Sequence, residues 1–264
     1  MHRHEHPNGI ITYTFESLMG SSVQAHVSTR HSGVSPEPWH SLNLSIARGD
    51  TRERVEANRD RLTTAIGVDT QKLVRCRQVH STGVAKVDLH DANSWIDGTD
   101  GLVTDTPDLP LLLLFADCTP ILLYDPIHHA LGVCHAGWRG TVNGMAVATL
   151  WAMQAAYDTN PHDVIVCLGP SIGPASYEVG TDVWKMAHAK LTDAERLFTF
   201  PNGPDHNPYF DLWQANVSQL VDAGIPQAQI EVSGIDTVQS TDDFFSHRAE
   251  QGRCGLFSMI AWLQ

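Results

Sequence analysis

The sequence predicts an α+β protein, a single layered domain of mixed β-sheet flanked by helices. Three observations lead to this class. Between residues 73 and 134 six short apolar, β-branched runs follow one another too closely for a helix to fit between each pair, so many must pair antiparallel or in a mixed sheet. Helical periodicity is concentrated after residue 140. A chain of 264 residues with 42% hydrophobic content can bury a full-sized core.

In chain order, the opening MHRHEHPNG is charged and reads as a flexible N-terminus over residues 1–9. Its alternating His2, His4 and His6 could capture a stray divalent ion, but nothing nearby would orient the rings. Residues 10–264 carry no internal repeat, low-complexity segment or convincing linker, and read as one domain. Strands are expected at 10–15 and 23–28, joined by a turn around Gly20, Ser21 and Ser22. The Gly-, Pro- and Ser-rich segment 28–50, STRHSGVSPEPWHSLNLSIARGD, is too long for a mere connector and is expected to be a functional loop.

Asp50 is then expected to cap a helix, with Glu53 completing a capping box, Val55, Leu62 and Ile66 near one face, and Gly67 ending it. Strand-like runs follow at 73–80, 84–87, 101–104, 109–115, 121–124 and 130–134. Helices are expected at 142–157, 182–191 and 211–223, strands at 164–168 and 230–232, and a last strand at 256–263 returning to the sheet.

Composition excludes several function classes. The longest apolar run, 109–116, stops at Asp117, far short of the roughly 20 residues that span a bilayer, so no membrane partner is expected. The N-terminus supports neither a signal nor a transit peptide, which makes the protein cytoplasmic by default. Five cysteines, at 76, 118, 134, 167 and 254, form an odd set without a CxxC pair and argue against a disulfide framework. A formal charge of −13 with no basic patch argues against nucleic acid. Fifteen histidines raise the expectation of metal chemistry without locating it.

Three of the reactive side chains fall at the ends of predicted strands, where loops build sites. Cys118 follows the buried run in FADCTPILLYDP, His135 follows the strand in GVCHAGWRG, and His80 closes CRQVHS. One thiolate and two imidazoles make a three-ligand set that suits zinc and leaves a fourth position open for chemistry. The alternative is that Cys118 is a small buried hydrophobe and both histidines are satisfied near the core. Asp117 could orient a ligand histidine, act as a base, or simply form the turn. Arg139 lies beside a predicted helix start and could hold phosphate, or pair with a carboxylate. Trp138 could stack on a base, or wedge into the core.

The runs STRHSGVS, SLNL, GDTRERVEANR, QVHS, ADCTPILLYDP, HAGWRG, GPSIGPASYEVG and FFSHR, in that order, resemble the laccase-domain family over nearly the whole chain. Its members are also labelled multicopper polyphenol oxidase-like proteins, peptidoglycan editing factors and purine nucleoside phosphorylases. The resemblance implies one zinc ion, held by His80, Cys118 and His135, and a fold similar to a toxin-deamidase-like cysteine hydrolase domain. It implies phosphorolysis of adenosine, inosine and methylthioadenosine, with adenosine deamination, so the partners are a nucleoside and phosphate. Copper is disfavoured, because His-x-His spacing occurs only at residues 2–6.

On that implied chemistry the catalytic set is Cys118, His135, Asp117 and Arg139, with Asp117 shuttling a proton and Arg139 positioning phosphate together with Arg30 or Arg248. Asn43, Tyr177 and Glu178 lie in matching loop motifs and are candidate nucleoside contacts, with loop packing the alternative reading of each. The chain departs from the family at Asp236, where many relatives have cysteine, and at Ala249 and Leu256, where relatives usually have arginine. An anion contact is therefore expected to be lost or moved to Arg253. Two other functions compete: a Cys118–His135 hydrolase acting in peptidoglycan precursor editing, and the polyphenol oxidoreductase of the family label or a metal-binding protein without catalysis.

Overall fold

The computed structural model describes all 264 residues. The chain runs β1 (His2–Glu5), β2 (Ile11–Thr14), β3 (Val23–Ser28), α1 (Arg52–Ile66), β4 (Val74–Arg77), β5 (Val84–Lys86), β6 (Trp95–Asp97), β7 (Gly101–Thr104), β8 (Leu111–Phe115), β9 (Thr119–Asp125) and β10 (Ala130–Ala136). It continues through α2 (Trp138–Val142), α3 (Met145–Tyr157), β11 (Ile165–Leu168), α4 (Thr181–Lys190), β12 (Phe198–Thr199), β13 (Tyr209–Phe210), α5 (Leu212–Asp222), β14 (Ile230–Val232) and β15 (Phe257–Leu263). Seven strands form one sheet in the order β1-β2-β3-β15-β8-β4-β6, and six form another in the order β14-β11-β9-β10-β7-β5. Both are mixed: β4 runs parallel to β6 and β8, β5 to β7, and β11 to β14, while the other pairs are antiparallel.

Two-residue alternation assigns each strand face to a layer. In β8, Leu111, Leu113 and Phe115 enter the core between the sheets, whereas Leu112 and Leu114 join Leu62 of α1 on the outer face. In β10, Leu131 and Val133 face the same central core, while Ala130, Cys134 and Ala136 pack with Met145, Leu150 and Met153 of α3. The result is four layers: α1, sheet, sheet, and α3 with α5. A further cluster joins Val142 of α2, Val183 of α4 and Leu212 of α5 to Phe198 and Phe210 on the side of the second sheet. Each fully buried Leu or Phe in these layers stabilises the fold by roughly 1.5–3 kcal/mol.

The structure adds the short strands β6, β12 and β13 to those expected, and it differs from expectation in three further places. Residues 2–5, read as floppy, form an edge strand: His2 to Glu5 pair with Thr14 to Ile11, and the terminal ammonium donates to Glu16 at 3.1 Å. The cap of α1 is Thr51, whose hydroxyl accepts from the Arg54 N–H; Asp50 is buried and accepts from Ser35 and Asn43 instead. The helix expected over 142–157 breaks at Asn143 and Gly144, the latter at φ +82°, into α2 and α3.

Candidate metal centre between two cavities

The geometry of the site begins with a change of sheet. The chain leaves the seven-stranded sheet at Phe115 and enters the six-stranded sheet at Thr119, with only Ala116, Asp117 and Cys118 between them. So short a crossing needs a left-handed residue, and Asp117 supplies it at φ +80°. Cys118 is thereby held, half-buried, at the open end of the central layer. Beside it, His135 pairs with Pro120 across β10 and β9 and shares the inward face with Leu131 and Val133. Its ring sits 5.6 Å from Phe115.

His80 completes the cluster from the loop after β4. Its backbone is also left-handed, at φ +60°, and its ring stands edge-on to His135 with centroids 4.8 Å apart. Its Nε2 lies 4.0 Å from Cys118 Sγ. The ligand atoms of His80, Cys118 and His135 all fall within 4.8 Å of one another. Cys134, one residue before His135, faces α3, and burial pushes its thiol up to about 12.

Asp100, which the sequence reading passed over, organises the cluster. Its carboxylate accepts from the backbone N–H groups of Val79, His80 and Ser81 at 3.1, 3.0 and 2.7 Å and from His135 Nδ1 at 2.9 Å. Burial alone would raise its pKa, but the His135 contact and those donors outweigh it and bring it to about 2. A carboxylate behind a histidine places the Nδ1 proton and leaves Nε2 to face the cluster.

Burial likewise opposes ionisation of Cys118, yet the neighbouring His135, with hydrogen bonds from both histidines, lowers the thiol to about 6. Burial opposes charge on His135, and Cys118 together with Asp100 still raises it to about 9. The thiolate of Cys118 and the imidazolium of His135 thus stabilise each other; once a cation displaces the Nε2 proton of His135, one sulfur and two imidazole nitrogens form a donor set suited to a borderline-soft ion such as Zn²⁺. Gly137 keeps the space open: a Cβ there would lie 2.8 Å from Cys118 Sγ and 3.2 Å from His80 Cδ2.

The cluster stands between two cavities. The larger, about 740 Å³, is lined by His80, Cys118 and His135 together with Val55, Trp95 and Leu256. The smaller, about 390 Å³, is lined by His80 and Cys118 with Arg139, Tyr177, His247 and Arg248. The smaller cavity thus gathers Cys118, Asp117, Arg139, Tyr177 and Arg248 of the sequence-predicted residues. Arg139 lies over the Trp138 ring at 4.3 Å and Arg248 over the Tyr177 ring at 5.3 Å. Trp138 itself packs against the cluster around Val142.

Asp117 lines the cavity with both oxygens engaged, one accepting from Thr237 Oγ1 at 2.7 Å and the other from the Arg248 N–H at 2.6 Å. Its position is that of an anchor joining the Arg248 loop to the cysteine crossing.

Three other residues fall outside the cavities. Arg30 donates to Glu250, to the Thr241 carbonyl and to the His40 carbonyl, each at 3.0 Å, so its guanidinium is consumed in holding loops together. Asn43 is fully buried and bonded to Ser45, Asp50 and Leu256. The Glu178 side chain is exposed and accepts from Asn207 at 3.0 Å, while its carbonyl accepts from Arg248 at 2.9 Å. The departures are structural as well: Asp236 accepts from Ser176 and the Val238 N–H, the Ala249 N–H donates to Ser246, and the Leu256 N–H donates to Asn43. Arg253 lines neither cavity; Arg48 lines both.

Fold and cluster together define a layered α+β protein with a His-Cys-His centre at the end of its central core. The chain belongs to the family described as multi-copper polyphenol oxidoreductase laccase, whose model matches residues 24–264. It is 36% identical to the purine nucleoside phosphorylase YlmD of Geobacillus stearothermophilus over 246 residues, 90% of this chain and 89% of that one. It is 34% identical to a purine nucleoside phosphorylase of Bacteroides thetaiotaomicron over 242 residues, covering 89% of each. The crystal structure of the Geobacillus protein superposes with a TM-score of 0.90 at 33% identity, covering 95% of this chain and 94% of that one. No helix is long and apolar enough to cross a membrane.

Proposed function

We propose that the protein is a zinc-dependent purine nucleoside phosphorylase acting on adenosine, inosine and methylthioadenosine, with adenosine deaminase activity at the same centre. The observation that carries this reading is the His80, Cys118 and His135 cluster set between a cavity of nucleoside size and a cavity rich in arginine. The names of the relatives, at 34–36% identity over nearly the whole chain, support the purine nucleoside phosphorylase part of this reading.

In phosphorolysis an oxygen of phosphate forms a bond to C1′ of the ribose, the bond from C1′ to the purine nitrogen breaks, and the released base takes up a proton. Zinc held by His80, Cys118 and His135 would supply Lewis-acid stabilisation of developing negative charge, and would acidify a water for deamination. The chain's own part is positioning and charge. Arg139 and Arg248 hold the phosphate dianion in the smaller cavity, and Tyr177 walls the subsite. The larger cavity takes the nucleoside with Trp95, Val55 and Leu256 as apolar surface. Asp100 holds His135, and Asp117 holds the Arg248 loop against the crossing.

Copper chemistry finds less support, because the His-x-His run at His2, His4 and His6 begins an edge strand and supplies no residue to the cluster. A second reading, a cysteine hydrolase of the kind suggested for peptidoglycan editing, is favoured by one observation: Asp100, His135 and Cys118 align as an orienter, a base and a nucleophile with a lowered thiol pKa. Incubation with adenosine and phosphate, followed by chromatography, separates the two. Adenine and ribose 1-phosphate, with inosine from deamination, support the phosphorylase; no purine product under any metal condition rejects it.

A further inference from the structure

We infer that Arg48 completes an oxyanion subsite with Arg139 and Arg248 in the smaller cavity, and that this subsite takes inorganic phosphate as co-substrate. The inference rests on the phosphorylase reading and adds a residue from the loop before α1 that neither the motifs nor the spacing pointed to.

The arginines of the smaller cavity have unused hydrogen-bonding capacity. Arg48 ends the 3-10 turn Ile46–Arg48, which Gly49 closes at φ +94°. Its backbone carbonyl accepts from Trp39 Nε1 at 2.9 Å, so the turn is fixed, while its guanidinium has no hydrogen bond and no carboxylate partner. Arg139 is in the same condition, supported only by the face of Trp138. Arg248 commits one nitrogen to the Glu178 carbonyl and leaves the rest of its fork free. Among the residues lining this cavity the one acid is Asp117, and both of its oxygens are taken.

Three arginines, Arg48 half-buried and Arg139 and Arg248 exposed, line about 390 Å³ without a neutralising carboxylate, a local cluster of positive charge in a chain of net charge −13. A planar fork of donors is the geometry that binds phosphate oxygens in pairs. The larger cavity contrasts with this. Arg52 pairs with Glu56, Arg77 with Asp97, and Arg59 donates to the Leu44 carbonyl, so its other cations have partners. Because Arg48 borders both cavities, it marks the seam across which a bound phosphate would meet the sugar carbon.

The same dianion could arrive as free phosphate or as the 5′-phosphate of a nucleotide, and the test separates them. Initial rates are measured with adenosine and varied inorganic phosphate for the wild type, Arg48→Gln, Arg48→Lys and, as a charge-matched control far from the site, Arg196→Gln. Binding of inorganic phosphate alone is measured by calorimetry for the same proteins. Arg48→Gln is expected to raise the KM for phosphate roughly tenfold or more, the loss typical of one charge-assisted hydrogen bond, and to move the KM for adenosine less than about twofold. Arg48→Lys should recover part of the loss and Arg196→Gln should match the wild type.

Unchanged phosphate KM and affinity in Arg48→Gln would overturn the inference. So would a defect confined to an arm in which adenosine 5′-monophosphate replaces adenosine. Phosphate binding that depends on Arg48 in a protein without phosphorolysis would reject the functional reading while keeping the anion subsite. Equal melting temperatures of Arg48→Gln and wild type exclude misfolding as the cause.

Discussion

Asp100 Oδ1 lies 2.9 Å from His135 Nδ1, and the same carboxylate collects the N–H groups of the turn that carries His80. One buried acid therefore positions two of the three cluster residues, through a ring contact on one side and a backbone turn on the other. Removing its charge should loosen both. Asp100→Asn is expected to weaken zinc affinity by about 10- to 100-fold, measured by competition with a chromophoric chelator. Unchanged affinity in a folded variant would show that His135 needs no carboxylate behind it.

Gly137 tests how tightly the cluster is enclosed. In Gly137→Ala the new Cβ would press on Cys118 Sγ at 2.8 Å and His80 Cδ2 at 3.2 Å, both in the candidate cluster. Overpacking of this kind costs about 1–3 kcal/mol. The variant should lose most of its metal affinity while its melting temperature falls by only a few degrees. Full metal retention would mean that the ligands move aside freely.

The thiol of Cys118, near 6 in the cluster, should dominate the alkylation chemistry of the metal-stripped protein. Its thiolate is present above pH 6 and lost as pH falls below it, so its reaction rate with iodoacetamide should rise through about pH 6 and then level off. Cys76, Cys134, Cys167 and Cys254 are buried with thiols pushed up to about 12, and should stay unmodified in the folded state. Peptide mapping identifies the labelled residue. A midpoint near the ordinary thiol value would contradict the proposed charge balance.

His26 gives a prediction about stability. Burial and the nearby His6 and His4 lower its pKa to about 4, below an unfolded value near 6.5. The unfolded chain therefore binds more protons between those values, and stability falls as pH drops from 6.5 towards 4. The loss from this group is on the order of 2–3 kcal/mol, read from urea unfolding at the two ends of that window. His26→Gln should flatten that part of the pH profile; an unchanged slope would place the titration elsewhere.

Asp117 separates anchoring from proton transfer. As an anchor for Thr237 and Arg248, Asp117→Gly, which keeps the left-handed turn at φ +80° beside Cys118, should raise the KM for phosphate several-fold and leave the zinc content unchanged, with Asp117→Asn milder because it keeps an acceptor. If Asp117 instead carried a proton, both variants would lower kcat alike and remove the same limb of the pH profile.

Residues 23–28 and 101–104 were legible in the sequence and match β3 and β7: β3 alternates between buried and half-buried positions over most of its length, while β7 is a short apolar run buried on both faces. β1 was not, since HRHE is an edge strand exposed along its length and has no apolar face to report it. The break between α2 and α3 was hidden for a different reason. Gly144 is tolerated inside a helical pattern, and only the packing of α2 against α5 shows that the chain turns there.

The three cluster residues could be picked out because each falls near the end of a strand: His80 three residues after β4, Cys118 just before β9, and His135 next to the last residue of β10. Asp100 could not, since an acid in GTDG looks like an ordinary turn former until the fold brings β10 beside it. Arg30 and Arg48 come from the same loop and are equivalent by composition. Packing alone decides that Arg30 spends its donors on loop carbonyls and Glu250 while Arg48 faces the cavities.

The central claim is that His80, Cys118 and His135 hold one zinc ion on which nucleoside phosphorolysis depends. The most direct test is elemental analysis of wild type and Cys118→Ala, purified without added metal, with each preparation assayed for adenine release from adenosine and phosphate. Close to one zinc per wild-type chain is expected, with loss of both zinc and adenine release in Cys118→Ala. Full adenine release by Cys118→Ala, or by wild type stripped of metal, would contradict it.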